Sequence, residues 1–430
     1  MADLNVELYG ELVGTLDGGG AFHADPAAIA RHGLGSTILS RAIPLGVSRS
    51  NSRSIARNFF AELLPEGDLR NELAALAGLS PDDLIGMLRV YGRDVAGAVQ
   101  IWDPTLPGEP KTPAIEPVDE LEIERMLAEV STAPLGNVPR RGKSSLAGVQ
   151  NKIVLVRTQD GWARALDGYP STHIIKPFVP RRPTVIFDEE YGARFARRMG
   201  LADFETSLAT FGDTAALVIE RYDRDGSAPT GRIHQEDFNQ ILGKSGREKY
   251  EKYRGAPLRS VARDLNRRDR VRLMRMVVLS VALGNLDMHL KNISLVHDPD
   301  GTSRLAPMYD VVPQAFHLDL HGEMALAVGG EFSHRLLTTR HLETEFAQWG
   351  IRAPMKTITG ALEEILSIAS AERPSPGAQS GLQHLVMGYT ANLLEGRAVG
   401  DAGDGEFDPA TTGSVGVGGW RWDNPQHQKS

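Results

Sequence analysis

The sequence predicts an α+β fold in two lobes, a β-rich half followed by an all-helical half, with a small α/β module in front. Three observations predict it. Residues 152–222 read as short strands around one helix, residues beyond 236 read mainly as helices, and residues 1–135 carry their own hairpin and helix signals. A chain of 430 residues exceeds one ordinary core, so two or three subdomains are expected. The boundaries drawn on this basis are 1–135, 136–235, 236–398 and 399–430.

In the front module, residues 6–9 and 12–16 flank Gly10 as a small hairpin. Residues 54–64 place Ile55, Phe59, Phe60, Leu63 and Leu64 on one helical stripe that Pro65 stops. Ser80, Pro81 and Asp83 ahead of Leu84 read as a capping box with proline at the first helical position. The Pro-rich stretch 104–117 reads as a linker, and 120–130 as a short helix.

The middle segment offers strands at 152–157 and 173–176, and a helix over 188–199 closed by Gly200. An alternating hairpin follows, 204–210 and 215–222, turning through Gly212-Asp213. Strand, strand, helix, strand, strand is the order of the smaller lobe of protein-kinase-like folds. Beyond 236, helices are expected over 269–283, 342–347 and 381–394. The Gly-rich, polar stretch 400–430 is expected to be disordered, and its Trp420 and Trp422 are given no role.

Composition narrows the function. Asp plus Glu number 55 against 47 Lys plus Arg, so a net charge of -8 argues against nonspecific nucleic-acid binding as the main task. No cysteine is present, which excludes disulfides and cysteine-bound zinc and fits a cytoplasmic protein. The first residues lack a signal-peptide pattern, and the most apolar long stretch, 271–286, carries Arg272 and Arg275. A buried helix, with no membrane association, is the expectation.

The stretch Gly136 to Gln150 contains Gly142-Lys143-Ser144, the end of a P-loop signature. Five residues separate Gly136 from Gly142, one of them is Pro139, and no apolar strand precedes them. The spacing of a P-loop is therefore missed, and Lys143 is expected to be dispensable for ATP binding. Instead, Leu146-Ala147-Gly148-Val149-Gln150 opens onto the apolar run that begins at Lys152. A loop leading into a strand is the order in which kinase-like folds cover nucleotide phosphates.

The segment Gly284-Asn-Leu-Asp287-Met-His289-Leu-Lys291-Asn292 is the most informative. Asp287 and Asn292 stand five apart, the spacing of a kinase catalytic loop, in which the Asp takes up the proton of a substrate hydroxyl and the Asn holds magnesium. Eighteen residues beyond Asn292, Asp310 supplies a second metal ligand. Mg²⁺ takes one or two carboxylates plus the phosphates, so Asn292 and Asp310 suffice. Lys176 ends an apolar strand, where a phosphate-pairing lysine belongs, and Glu190, with Asp188 and Glu189 as alternatives, opens the following helix as its partner. Glu220 and Tyr222 close the hairpin, where an adenine would meet the backbone and an aromatic ring.

These motifs resemble the HipA family of serine/threonine kinases, toxins of HipBA-type toxin–antitoxin modules. The likeness runs to about residue 395. It rests on 58–65, 92–99, 145–150 with Lys152, 172–176, 220–223, 235–237, 284–292 and 307–310, eight motifs in order. The resemblance implies ATP and Mg²⁺ as cofactors. Lys176 would contact the phosphates, Asp287 would be the catalytic Asp, and Asn292 and Asp310 would hold the metal, with His289 and Lys291 in the same loop. Ala147, Gly148, Val149, Gln150 and Lys152 would cover the nucleotide, with Glu220 and Tyr222 at the adenine. Ser145 matches a serine that the family autophosphorylates, a modification that expels the loop and switches the kinase off; Ser144 is the competing site. A phosphate there adds close to two negative charges, which the ATP phosphates would repel. Met288 departs from a glycine in the family and is expected to narrow the substrate approach.

The resemblance further implies a protein substrate such as glutamyl-tRNA synthetase, growth arrest or persistence, and a HipB-like helix-turn-helix antitoxin through which operator DNA is met. The alternatives are a small-molecule or lipid kinase and a non-catalytic kinase-like antitoxin or regulator. The front module argues against the first, and the retention of Asp287, Asn292 and Asp310 against the second.

Overall fold

The computed structural model describes residues 3–48, 51–131, 133–137, 144–146, 150–315 and 322–401. Ala147, Gly148, Val149, Lys143, Trp420 and Trp422, and most of the tail expected to be disordered, lie outside the described residues. The chain forms two compact units, one of Met1–Arg181, Asp203–Lys249 and Ile293–Pro307, the other of Arg182–Ala202, Tyr250–Asn292 and Met308–Ser430.

The first unit opens with a four-stranded antiparallel sheet. Its strands are Leu4–Leu8, Glu11–Leu16, Phe22–Ala24 and Val99–Trp102, in the order third, second, first, fourth. Alternation decides which face is inside: Leu4, Val6 and Leu8 are buried, while Asn5 and Glu7 are not. Helices Ser52–Ala61, Gly67–Ala77 and Leu84–Tyr91 complete a core around Phe59, Phe60 and Leu64. Asp83, not Ser80, caps the last of these: its carboxylate accepts the Gly86 N–H at 2.9 Å, while Ser80 serves the turn before it.

A six-stranded antiparallel sheet comes next, in the order Ala114–Val118, Gly161–Leu166, Ile153–Thr158, His173–Pro177, Thr214–Glu220, Thr206–Phe211. Helix Glu120–Ala128 packs Ile123, Met126 and Leu127 against Ile153, Leu155, Ile175 and Val218. Part of the expected linker is thus an edge strand, where Pro117 is tolerated because an edge strand is paired on one side only. Three further strands, His234–Asp237, Ser294–His297 and Ser303–Leu305, form a small sheet in the same unit.

In the second unit, helix Arg267–Leu283 is almost wholly buried from Leu273 onward and packs against Met355–Ala371 and Leu382–Leu394. The unit is mainly helical but also carries the hairpin Glu323–Val328 and Glu331–Ser333, an addition to the all-helical half that the sequence predicts. Among the described residues, no helix is long and apolar enough to cross a membrane.

Helix Arg267–Leu283 ends on a glycine that directs the chain into the predicted catalytic segment. Gly284 lies in the left-handed region at φ 69°, its N–H bonding back toward Val281 while the Asn285 N–H reaches Ser280 at 2.8 Å. The Gly284 carbonyl then accepts the N–H groups of Gln314 and Ala315, both at 2.9 Å. A Cβ on Gly284 would come within 2.6 Å of the Ala315 side chain. Nearby, the buried His334 donates Nε2–H to the Val281 carbonyl at 2.8 Å, and burial depresses its pKa to about 4.

Two measurements test this helix end. Gly284→Ala combines left-handed strain with a clash and is expected to lower stability by about 1–3 kcal/mol, measured by denaturant unfolding. Because folded His334 resists protonation, the unfolded chain binds the extra proton between pH 6.5 and about 4. Its stabilising contribution is complete above 6.5 and is lost as pH falls toward 4. His334→Gln is expected to flatten the slope of unfolding free energy against pH in that window by up to about 1.4 kcal/mol per pH unit.

Candidate functional site

Immediately after Gly284 the chain makes the turn that carries the predicted catalytic residues. The His289 N–H donates to the Asp287 carbonyl at 2.7 Å, and the Asn292 N–H to the His289 carbonyl at 2.9 Å, so residues 287–292 form one closed unit. The Asn292 side-chain amide donates to the Asp287 carbonyl at 2.9 Å and to Asp310 Oδ2 at 3.1 Å. Tyr309 Oη donates to the Lys291 carbonyl at 2.7 Å, tying the second segment to the first. Asp310 itself adopts φ 56°, a left-handed conformation that Asp tolerates better than most residues. The next residue passes against helix Val185–Arg198 at Gly192, where a Cβ would collide with the Val311 carbonyl.

Asp287, Asn292 and Asp310 are therefore brought together and half-buried, whereas Lys291 and His289 are buried. His289 Nε2 lies 3.9 Å from Asp287 Oδ1. Met288 turns inward: it is buried, with its sulfur 3.1 Å from the Ser280 hydroxyl, so its side chain is packing and does not narrow a substrate approach. One residue that sequence reasoning missed stands beside the acid. Tyr250 Oη lies 3.4 Å from Asp287 Oδ1, and its ring meets His289 edge-on at 5.3 Å.

The donors available to a metal are an amide oxygen on Asn292 and a carboxylate on Asp310. Among the described residues there is no group of three or more His, Asp or Glu that could cage an ion. Mg²⁺ bound partly by phosphate oxygens needs no such cage, so this donor set fits it. Of the acids opening helix Val185–Arg198, Glu190 ion-pairs with Arg194 at 3.0 Å and Asp188 accepts the Gln379 N–H at 2.8 Å; Glu189 is buried.

The remaining predicted residues lie in the first unit. Lys176 sits half-buried on strand His173–Pro177, in register with Leu217 of Thr214–Glu220. Glu220 Oε2 accepts the Glu205 N–H at 3.0 Å. Tyr222 packs its ring against Phe204 at 5.9 Å and donates its hydroxyl to Gln235. Gln150 is half-buried, and Lys152 is buried with its carbonyl accepting the Leu135 N–H at 2.9 Å.

Ser144 and Ser145 are both buried, and both are held by the front module. Ser144 Oγ donates to Asp94 Oδ2 at 3.0 Å; the Ser145 N–H donates to the Asp94 carbonyl at 2.9 Å, and its Oγ to the Leu63 carbonyl at 3.0 Å. Asp94 is the hub, accepting also from Ser171 Oγ at 2.6 Å and Arg224 at 2.9 Å, with Arg221 at 3.7 Å. Burial alone would raise the Asp94 pKa, but Arg221 and Arg224 hold its carboxyl below the usual carboxylate range. Asp223, shared by the same two arginines, is depressed likewise against its burial. Nothing in Gly92-Arg-Asp94-Val signals this role, since the partners come from far along the chain.

Comparison with known proteins agrees with this architecture. The HipA N-terminal domain family matches residues 4–102, and the HipA-like C-terminal domain family matches residues 144–371. The protein Y4mE of Sinorhizobium fredii is 32% identical over 335 residues, covering 75% of this chain and 78% of that protein. The serine/threonine-protein kinase toxin HipA of Shewanella oneidensis is 28% identical over 314 residues, 68% of this chain and 71% of that protein. A solved structure of Shewanella oneidensis HipA with HipB and its operator DNA has the same fold. It superposes with a TM-score of 0.71 at 23% identity, over 91% of this chain and 96% of that one. By its two matched domains and its relatives, the chain belongs to the HipA family.

Proposed function

We propose that this protein is a serine/threonine kinase that transfers the γ-phosphate of ATP to a serine of a protein substrate. The observation that carries this reading is the Asn292 side chain, which joins the Asp287 carbonyl to the Asp310 carboxylate. Phosphoryl transfer requires little beyond positioning and charge neutralisation, and this turn gathers the groups for both. In the reaction, the acceptor oxygen forms a bond to the γ-phosphorus, the bond to the ADP oxygen breaks, and Asp287 takes up the acceptor proton. Asn292 and Asp310 would hold Mg²⁺, which neutralises charge on the phosphates when bound.

Lys176 is assigned to the phosphates, Glu220 and Tyr222 to the adenine, and residues 147–150 with Lys152 to the phosphate cover. Ser145 is assigned as the regulatory phosphosite. Support comes from its surroundings: its hydroxyl is fully buried and faces the Leu63 carbonyl, another acceptor. A phosphate at this position would set anionic oxygens against that carbonyl without water, so the segment would have to leave the front module. A HipB-like helix-turn-helix antitoxin is the proposed partner, with operator DNA met through it, supported by the HipB-bound relative of the same fold. An aminoacyl-tRNA synthetase such as glutamyl-tRNA synthetase is the proposed substrate, growth arrest or persistence the proposed outcome, and the cytoplasm the proposed location.

Incubation with labelled ATP and Mg²⁺ is expected to place phosphate on the protein itself, and Asp287→Asn to reduce the rate by about 10²–10⁴-fold. An Asp287→Asn variant with full activity would reject the assignment of the acid. Peptide mass spectrometry is expected to locate the phosphate on Ser145; phosphate on Ser144 alone would reject only the regulatory assignment.

A further inference from the structure

Resting on the kinase reading, the geometry around Asp287 points to a residue that holds this acid in its working orientation. A carboxylate at the head of a loop rotates readily about its last torsion, which is broad and two-fold. An acid that must present one oxygen to a substrate hydroxyl needs that rotation stopped.

We propose that Tyr250 is a positioning residue for Asp287. Its hydroxyl donates to Asp287 Oδ1 at 3.4 Å, and its ring stands at 77° against His289, two residues further along the same loop. The distance is long for an O–H···O bond, as such contacts often are before substrate arrives and tightens them. The hydroxyl fixes one carboxylate oxygen and so orients the other toward the acceptor.

Tyr250 is itself held on a built support. Its carbonyl accepts the N–H groups of Tyr253 at 3.0 Å and Gly255 at 3.1 Å, closing a turn in which Arg254 takes φ 69°. The turn is strapped to the hairpin Glu323–Val328 and Glu331–Ser333. The Glu251 carboxylate accepts the Ala327 N–H at 2.8 Å, and Lys252 pairs with Glu323 at 2.5 Å and lies 4.9 Å over the Phe332 ring. The same hairpin reaches the loop from the other side, where the Ala325 N–H donates to the Leu286 carbonyl at 2.8 Å, one residue before Asp287. One hairpin thus carries both the acid and the tyrosine that orients it, the acid's loop through a backbone hydrogen bond and the tyrosine's turn through the side chains of Glu251 and Lys252.

The test uses the full-length chain, Mg²⁺ and ATP, reading labelled phosphate on the protein together with ADP release and the thermal midpoint. If the unaltered chain transfers no phosphate, the kinase reading falls, and this inference with it. If it does transfer, Tyr250→Phe is expected to lower kcat about tenfold, less than loss of the acid itself. The KM for ATP should stay within about twofold and the midpoint within about 2 °C. Tyr250→Leu, which also removes the ring from His289, should lower kcat further. An active unaltered chain with an equally active Tyr250→Phe variant would overturn the role, leaving the ring as packing alone. So would a loss in Tyr250→Phe matched by a raised KM or a lowered midpoint.

Discussion

A carboxylate removed from water remains charged only if cations are brought to it, and Asp94 is where the first unit meets that demand. Desolvating an ion costs several kcal/mol, so the position is stable only with its full set of partners. Those partners come from separated parts of the chain: Arg221 and Arg224 after the hairpin, Ser171 before strand His173–Pro177, and Ser144 ahead of strand Ile153–Thr158. Asp223 returns the same arginines to the module by accepting the Gly97 N–H at 2.7 Å. The front module, the large sheet and the segment around Ser144 are thereby organised around one buried charge. Packing continues the connection, since Leu135, Leu146 and Val154 share a core with Phe59 and Phe60.

The second unit is organised by backbone rather than by charge. Helix Arg267–Leu283 ends on a glycine whose amide and carbonyl both serve other segments, one closing the helix and the other drawing in residues 314 and 315. The turn bearing Asp287 and Asn292 is therefore anchored at its start by the helix, and at Lys291 by Tyr309. Asp287, Asn292 and Asp310 then need no flexible hinge between them. The ring of His334 against Tyr389 at 5.2 Å, with its hydrogen bond to Val281, closes the same helix end from behind.

What could be read from sequence was what is local. Asp287 and Asn292 lie within one turn, so their spacing in sequence already implies their proximity in the fold, and strands with alternating burial such as Leu4–Leu8 declare themselves. Strand Gly161–Leu166 does not, because Ala163 to Leu166 are buried without alternation, and Arg164 is inside with the carboxylates of Glu122 at 2.7 Å and Glu116 at 3.4 Å as partners. Strand Glu323–Val328 is, from Met324 onward, a continuous buried apolar run, which periodicity cannot separate from a helical segment. Tyr250, in a run of Lys, Glu and Arg, looks like surface until the fold carries it to Asp287. Asp94 looks like a loop residue for the same reason: its partners lie up to 130 positions away.

The burial of Ser145 has a kinetic meaning as well as an electrostatic one. With its hydroxyl at 0% exposure and bonded to Leu63, no reagent can act on it in this conformation. Any modification must wait for the segment to separate from the module, and its rate has a ceiling set by how often that opening occurs. Asp94 contributes to that frequency through two of the bonds that must break, one to each serine. The residue that holds the unit together, bonded to Ser144 through its carboxylate and to Ser145 through its main-chain carbonyl, therefore also acts as a clock on Ser145.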